Sequence, residues 1–528
     1  MKCSQYSSSR GAAEECSPRR KPWVNNRAKL TSSEGAKEKN AALRPRISLN
    51  TRMPTHVTDA PTLLSAVVMA EQIRQKQISP VELLDAHLTK IERLNAQLNA
   101  FVHLDADRAR TTARAAEAAV LSRKALGPLH GVPISIKSSI EIAGLRCEAG
   151  TRLRQGFVAT HDAPLVSRLK NAGAIVLGVT NTPEFLMAWE TDNLLYSRTN
   201  SPWDLDRTPG GSSGGEAAAI SAGMSAGGVG SDGGGSIRVP AHFSGICGLK
   251  PTPGRIPATG HYPVSAGPFA LLGVVGPMAR TVGDVKVLFE AMQGADDGDT
   301  CAAPVPLHWP SEDEVKKLRI GYFEDDGRTP VTTETRTAVR TAAEALRRAG
   351  FQVDAFRPPR LEEARLLWHK FFVVAGGMLL RPMTKGREHE LSPILKQFLE
   401  WSAAERPHTG ESLLDAWIRR DTARAQFFAQ MQKYPILLCP AAAIPAFRHG
   451  ERSWTIDGKT VQYLDAWSYT EWFNLLGNPA AVVPIGQSPE GLPIGVQIVG
   501  RPWEEERVLA VAELLENECG AWRKPPIC

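Results

Sequence analysis

Glycine is concentrated in residues 209–257, and this segment constrains the fold more than any other part of the chain. It reads PGGSSGGEAAAISAGMSAGGVGSDGGGSIRVPAHFSGICGLKPTPGRIP. Glycine destabilises the interior of helices and strands, but it permits positive φ angles and close approach between backbones. We therefore expect these glycines to serve close backbone approach or positive φ angles, with N–H groups that can face a ligand.

Two short motifs in this segment are typical of other enzyme classes. Residues 210–214 satisfy G-x-S-x-G, the nucleophile elbow of α/β-hydrolases, but prolines and charges precede them where an elbow requires an apolar strand. Residues 228–233 satisfy G-x-G-x-x-G, the dinucleotide fingerprint, but Pro240 would cut short the helix that binds pyrophosphate. Neither motif has the context that its function requires.

Outside this segment, strand patterns alternate with helix patterns. Residues 132–137 have a period of two and residues 174–179 form an apolar run, and both patterns predict buried strands. Residues 319–356 predict a strand, a helix and a second strand, and residues 480–499 predict two strands joined by a turn. The predicted fold class is therefore α/β, with a central twisted mixed β-sheet covered by helices on both faces.

The net charge of +6 does not indicate a nucleic-acid-binding surface. Residues 1–52 hold 12 Lys or Arg against 4 Asp or Glu, so the rest of the chain is slightly acidic. We expect residues 1–52 to be a disordered basic tail, with Met53 as a candidate true start, and residues 53–528 to be one domain. The composition, 42% apolar and 22% charged, excludes a disordered or coiled-coil chain.

The spacing of the cysteines and the length of the apolar runs indicate which cofactors and which cellular compartment to expect. The eight cysteines form no C-x-x-C pair, so neither a zinc site nor a disulfide framework is predicted, and reduced thiols favour the cytoplasm. The longest apolar stretches have about half the length of a bilayer-spanning helix. We expect no metal or other cofactor, no nucleic acid and no membrane partner. A homodimer stays open.

Several longer motifs occur together along the chain. GVPISIK ends at Lys137, GGSSGG covers residues 210–215, GSDGGGSIRVPA covers 230–241, and GLPIGVQIVGRPWEEE covers 491–506. Together with GLKPTPGRIP, they resemble the amidase signature family, in particular its stand-alone fatty acid amide hydrolase and acylamidase type. The resemblance implies a single amidase signature domain that hydrolyses a carboxamide to a carboxylate and ammonia or an amine.

The resemblance also implies a Ser-Ser-Lys catalytic set that works through an acyl-enzyme. Ser236 is similar to the family's nucleophile, Ser212 to its bridging serine on a cis peptide bond, and Lys137 to its base. The oxyanion would be held by backbone N–H groups of the glycine run and the nucleophile, namely Gly233, Gly234, Gly235 and Ser236. Gly233 lengthens that run, which predicts a looser loop than in relatives.

The chemistry requires an unusual lysine. Neither GGSSGG nor the loop around Ser236 contains a histidine, so the base must be another group. Lysine can accept a proton only when it is neutral, and lowering its pKa from about 10.4 to near 7 costs roughly 4.6 kcal/mol. Burial on a strand among Ile134, Ile136 and glycine-rich backbone could supply that shift.

Other residues near the motifs are given supporting roles. Leu186, Met187 and Trp189 correspond by spacing to acyl-pocket positions of the fatty acid amide hydrolase branch, although they could also be core residues. They favour an apolar acyl or aryl group on a small-molecule amide substrate. Asp232 and Arg238 are expected to form a structural ion pair that supports the loop.

Two alternatives stay open. The A subunit of glutamyl-tRNA(Gln)/aspartyl-tRNA(Asn) amidotransferase belongs to the same family and releases ammonia from glutamine for partner subunits. Its usual polar stretch is replaced here by FALLGVVGPMAR at 269–280, which offers few charged groups to glutamine. A non-catalytic protein could instead use the glycine loop to bind an anion, but it would not require Lys137, Ser212 and Ser236 together.

Overall fold

The main sheet of the computed structural model contains the strands predicted from the alternating patterns; the structure describes residues 61–520 and 522–528. The strands are β1 (Phe101–Leu104), β2 (Pro133–Lys137), β3 (Ile175–Thr180), β4 (Gly227–Asp232), β5 (Cys247–Lys250), β6 (Val274–Ala279), β7 (Arg319–Tyr322), β8 (Gln352–Ala355), β9 (Ile436–Pro440), β10 (Ser453–Ile456), β11 (Lys459–Gln462), β12 (Ala480–Gln487) and β13 (Pro493–Val499). Within the described residues, eleven strands pair in the order β1-β3-β2-β4-β6-β5-β12-β13-β9-β7-β8. A separate hairpin pairs β10 with β11.

Helices connect and cover these strands. The α-helices are α1 (Ala66–Arg74), α2 (Pro80–Leu98), α3 (Ala106–Leu121), α4 (Pro164–Asn171), α5 (Gly214–Ser221), α6 (Arg238–Ser244), α7 (Phe269–Leu272), α8 (Val282–Met292), α9 (Glu312–Lys316), α10 (Thr333–Arg348), α11 (Leu361–His369), α12 (Ala375–Thr384), α13 (Pro393–Ala404), α14 (Gly410–Gln430), α15 (Ser468–Leu476) and α16 (Glu505–Cys519). A π-helical turn, Lys370–Val374, joins α11 to α12.

The sheet is mixed, and helices pack on both of its faces. β2 pairs in parallel with β3 and β4, whereas β12 is antiparallel to both of its neighbours. Along β12, Ala481 and Val483 belong to the hydrophobic core that includes α10 and α16, while Val482 belongs to a second core that includes α5 and α6. Successive side chains of a strand point to opposite faces, so this alternation shows a sheet buried on both sides. The predicted fold class is confirmed.

The glycine-rich segment contains α5, β4, α6 and β5. Its glycines allow close packing between these elements, as expected: a Cβ at Gly228 would lie 1.9 Å from Glu216 Oε1, and one at Gly230 would lie 2.8 Å from Ser213 Oγ. Glycine in β4 lets α5 pack directly on the strand.

Residues 61–520 and 522–528 belong to one compact unit. The predicted tail, residues 1–52, and the proposed start at Met53 lie outside the described residues. Across the part of the chain that the structure describes, no helix combines the length and the apolar character that crossing a bilayer would require.

Candidate active site

Lys137 lies at the end of a buried strand. It is the last residue of β2, and its side chain is fully buried. Burial lowers the pKa of the Lys137 amine well below its ordinary value of 10.5, although the carboxyl groups of Asp232 and Glu216 oppose that shift. An amine with a strongly lowered pKa can be neutral near pH 7, and it can then accept a proton.

Ser212 is brought to this amine by a tightly packed loop. The Gly211–Ser212 peptide bond is cis. Lys137 Nζ lies 2.7 Å from Ser212 Oγ, and Thr182 Oγ1 donates a hydrogen bond of 2.7 Å to the Ser212 carbonyl. A side chain at position 211 would not fit, because its Cβ would lie 2.4 Å from the Glu190 carbonyl oxygen. The glycine therefore allows the approach of Ser212 to Lys137.

Ser236 lies two residues before α6 and lines the same cavity as Ser212. The residue is 8% exposed, and its carbonyl accepts a hydrogen bond of 3.1 Å from the Ser213 N–H. Its hydroxyl makes no hydrogen bond to another residue in the described ranges. The Ser236 hydroxyl is therefore available to a molecule in the cavity.

Residues 232–236 form a loop, here called the oxyanion loop, whose carbonyl groups are anchored by side chains from distant parts of the chain. Trp368 Nε1 donates to the Gly233 carbonyl at 2.9 Å. The Gly234 carbonyl accepts from Trp189 Nε1 at 2.8 Å and from Thr470 Oγ1 at 2.9 Å. These bonds fix a segment for which the glycine run alone predicts greater freedom.

The anchored carbonyls also set the directions of the N–H groups. In a trans peptide the N–H points away from the preceding carbonyl, so the N–H of Gly234 faces away from Trp368. The N–H groups of Gly233, Gly234 and Ser236 donate no hydrogen bond to any other residue of 61–520 or 522–528. Gly235 was expected to donate its N–H to the oxyanion as well. In the structure this N–H donates instead to Asp232 Oδ1 at 2.7 Å.

Asp232 and Arg238 form a buried ion pair beneath this loop. Arg238 Nη2 lies 2.9 Å from Asp232 Oδ1, Arg238 Nε lies 3.0 Å from Oδ2, and both side chains are fully buried. Burial alone would raise the pKa of the Asp232 carboxyl, but the guanidinium and the Gly235 N–H hold it well below its ordinary value. The ion pair links the oxyanion loop to the start of α6.

Asp232→Asn is expected to destabilise the fold, because it leaves the Arg238 guanidinium buried without a counter-charge. Breaking a buried ion pair in this way costs about 3–5 kcal/mol, so the free energy of unfolding in urea should fall by about that much. The control is Glu312→Gln, which removes the exposed partner of Lys316 and should change stability little. Equal stability of the two variants would contradict a bracing role for the pair.

A cavity of about 290 Å³ adjoins Ser212, Ser236 and Gly233. Its walls come from residues 258–275 and from one side of the segment 372–383. Most of the wall is aromatic or aliphatic, including Phe269, Val274, Val275, Phe372, Leu380 and Met383. The cavity is small and apolar and has the hydroxyl-bearing Ser212 and Ser236 in its wall, which is the arrangement expected of a ligand site.

The three predicted pocket residues have different positions. Leu186 and Met187 line the cavity. Trp189 lies outside it: its indole N–H bonds to the Gly234 carbonyl, and its ring stacks on Trp467 with 5.7 Å between centroids. A buried indole needs a hydrogen-bond acceptor, and the loop carbonyl provides one. Trp189 therefore supports the oxyanion loop, and it also lines a second, much smaller cavity together with Gly234, Ser236 and Phe372.

Several residues of the site were not predicted. Trp368 and Thr470 anchor the loop, Phe372 and His261 line the cavity, and Asn474 Nδ2 donates to the Asp232 carbonyl at 3.1 Å. None of them lies in the motifs, so the only available signal was their polar or aromatic character, in helix patterns for Trp368, Phe372, Thr470 and Asn474 and in a connecting segment for His261. That signal does not show which distant loop a side chain will contact.

Comparison with known proteins shows that this chain is similar in sequence to one family of enzymes. A family model described as Amidase matches residues 82–509. An indoleacetamide hydrolase from Bradyrhizobium diazoefficiens is 35% identical over 476 residues, which cover 86% of each chain. The A subunit of a glutamyl-tRNA(Gln) amidotransferase from Anaeromyxobacter sp. strain K is 33% identical over 479 residues, which cover 86% of this chain and 96% of that one.

A solved structure of fatty acid amide hydrolase is also similar, with a TM-score of 0.79 and 27% identity, covering 88% of this chain and 87% of the other. The family match spans most of the chain, and the fold of the solved structure agrees with it. The resemblance inferred from the motifs is therefore confirmed. The chain belongs to the amidase signature family, and it is an enzyme that hydrolyses amides.

Proposed function

We propose that this enzyme is a stand-alone amidase that uses Ser236 as nucleophile, Ser212 as proton bridge and Lys137 as base. The observation that carries this proposal is the fully buried Lys137 amine, 2.7 Å from Ser212 Oγ, next to a cavity that Ser212 and Ser236 both line. The products are a carboxylate and ammonia or an amine.

The reaction begins with the addition of Ser236 to the amide, which gives a tetrahedral intermediate. Lys137 Nζ takes the hydroxyl proton of Ser212 while Ser212 Oγ takes that of Ser236, and Ser236 Oγ bonds to the amide carbon. The carbonyl oxygen becomes negatively charged and is stabilised by the N–H groups of Gly233, Gly234 and Ser236, each of which typically contributes about 3–4 kcal/mol. Gly235 is left out of this set because its N–H is bonded to Asp232.

Collapse of this intermediate gives the acyl-enzyme, and hydrolysis of that ester then releases the acid. Lys137 gives its proton back to Ser212, Ser212 passes its own to the leaving nitrogen, and the carbon–nitrogen bond breaks. Water then loses a proton to the same relay and attacks the ester carbon, and Ser236 Oγ leaves with a proton. The enzyme returns to its starting state, and one water has been consumed.

The cavity wall supports a neutral, apolar amide as the substrate. Burial lowers the pKa of the Lys137 amine well below its ordinary value, which disfavours a positive charge there, and Asp232 is already paired with Arg238. His261 also lines the cavity, and burial lowers its pKa to about 4, so it carries no charge at pH 7. A charged substrate group would lose its hydration in this cavity without gaining a partner.

We expect 2-phenylacetamide to be hydrolysed with a much larger kcat/KM than the same molecule carrying a para carboxylate. Burying an unpaired charge is costly, so the ratio should be at least about 100-fold. Ammonia release from the isolated chain measures both rates, and phenylacetic acid added as product controls for inhibition. Equal rates would contradict the proposed substrate class.

The amidotransferase A subunit is the second candidate, because curated relatives of that kind are similar over most of the chain. The apolar wall formed by Phe269, Val274 and Val275 speaks against glutamine as the substrate. Release of ammonia from glutamine only in the presence of companion subunits would support this alternative over ours.

A fluorophosphonate probe tests for the enzyme against a non-catalytic anion-binding protein. An activated Ser236 should be labelled covalently, whereas a protein that only binds anions in the glycine loop should not react. Peptide mapping identifies the labelled serine, and Ser225→Ala, which removes a buried hydroxyl bonded to the Gly227 carbonyl, is the control that should label normally.

We also propose that the enzyme works in a reducing compartment such as the cytoplasm. The cysteines of the described residues are free thiols, namely Cys147, Cys247, Cys301, Cys439, Cys519 and Cys528. Proteins of oxidising compartments commonly pair their cysteines.

A further inference from the structure

The Lys137 amine lies among three serine hydroxyls, and the mechanism above uses only one of them. Lys137 Nζ is 2.7 Å from Ser212 Oγ, 3.0 Å from Ser213 Oγ and 3.0 Å from Ser231 Oγ. All four residues are buried. A neutral amine has two N–H donors and one lone pair, so three hydroxyl neighbours match its hydrogen-bonding groups.

The role of Ser213 towards the amine is fixed by its other bonds. Ser213 Oγ donates its own hydrogen to the Ser231 carbonyl at 3.3 Å, and a carbonyl can only accept. The same oxygen also accepts from the Ser231 N–H at 3.3 Å. Towards Lys137, Ser213 can therefore only accept, so one N–H of the neutral amine points at Ser213.

The distances separate the roles of the other two serines. The 3.0 Å between Lys137 Nζ and Ser231 Oγ is typical of an N–H donated to an oxygen. The 2.7 Å to Ser212 Oγ is shorter, as is usual when a hydroxyl is the donor. The second N–H therefore points at Ser231, and the lone pair faces Ser212.

We propose that Ser213 and Ser231 are positioning residues that accept both hydrogens of the neutral Lys137 amine and so direct its lone pair at the Ser212 hydroxyl. This inference rests on the proposed function, because the lone pair needs a direction only if Lys137 is the base. When Lys137 takes the proton of Ser212, the ammonium has three N–H groups and three oxygens to accept them. The amine then keeps its place while one proton moves.

The test compares Ser213→Ala and Ser231→Ala with Ser221→Ala in 2-phenylacetamide hydrolysis from pH 5 to pH 10. Ser221 is a matched control, a buried serine whose hydroxyl donates to the Ser244 carbonyl at 2.7 Å and makes no contact with Lys137. We expect each of the first two variants to lower the plateau of kcat about 10- to 100-fold, with KM changed little, and Ser221→Ala to stay near wild type. Thermal unfolding checks that all variants are folded.

The pH profile separates a positioning role from simple loosening of the site. Both lost oxygens also accept hydrogen bonds from the ammonium form, so their removal should leave the acid limb of the profile in place or move it to lower pH. Water entering a loosened site would stabilise the ammonium and move that limb to higher pH. Ser231→Thr keeps the hydroxyl at a position that borders the cavity, and it should restore kcat to within about threefold of wild type.

Three results would overturn the inference. The first is a Ser213→Ala or Ser231→Ala variant whose plateau of kcat equals that of Ser221→Ala. The others are an acid limb of the pH profile that moves to higher pH in either variant, or a Ser231→Thr variant as slow as Ser231→Ala. The proposed function fails separately, since it requires Ser236 and Lys137 themselves. Wild-type rates after replacement of Ser236 or Lys137 would refute the proposed function. If those variants lose activity while the Ser213→Ala and Ser231→Ala variants keep normal activity, only the positioning role is contradicted.

Discussion

Ser236→Ala is expected to abolish amide hydrolysis while leaving the fold intact. The substitution removes the proposed nucleophile, and the Ser236 hydroxyl has no hydrogen bond within the described residues whose loss would destabilise the protein. Removing a serine nucleophile lowers kcat by at least about 10⁴-fold in comparable enzymes. Ammonia release from 2-phenylacetamide measures the rate, and thermal unfolding measures stability.

The control for this variant is Ser225→Ala, which loses a buried hydroxyl bonded to the Gly227 carbonyl and should keep its activity. Residual substrate binding adds a second check, because Ser236→Ala leaves the apolar part of the cavity wall unchanged and the apolar amide should still bind. Turnover near the wild-type rate would show that another group attacks the substrate.

Lys137→Met is the second substitution with a large expected effect. Methionine keeps most of the side-chain volume in the buried site but has no amine to accept the Ser212 proton. Loss of a general base lowers kcat by about 10²–10⁴-fold, and the residual rate should rise with pH because hydroxide then provides the base. The wild-type rate is instead expected to fall as pH drops through the pKa of Lys137 and to be flat above it, since only a neutral amine can act as the proposed base.

Lys250→Met provides a matched control for a buried amine. Lys250 is also fully buried, donates to the Pro251 carbonyl at 2.8 Å, and has a pKa lowered to about 7 by burial. It does not line the cavity, so its replacement should change kcat less than about tenfold. If kcat fell by a similar factor in both variants, the effect of Lys137→Met would be due to damaged packing rather than to a missing base.

Local patterns predicted the parts of the fold that local sequence determines. The strands β2 and β3 and the unit from β7 through α10 to β8 follow from apolar periodicity and turn residues, and they are confirmed. The cluster of Lys137 and Ser212 could be expected because both residues lie in motifs. Ser213 belongs to the same motif, but its role depends on a hydrogen bond to Ser231 that spacing alone does not reveal.

The supports of the oxyanion loop could not be predicted in the same way. Trp368 and Thr470 are more than a hundred residues from the loop in sequence, and they meet its carbonyls only because α11 and α15 pack behind it. The Gly235 N–H is bonded to Asp232 because of the turn between them, and no residue pattern indicated that choice. Side-chain direction and peptide orientation are properties of the packed structure, not of composition.

The cavity wall and the reactive groups come from different stretches of the chain. Lys137 and the serines lie on β2, at the start of α5 and before α6, whereas much of the wall comes from residues 258–275 and 372–383. Substitutions in the wall therefore need not move the proposed proton relay. A library confined to those two wall segments is the natural starting point for redirecting the enzyme to new amides.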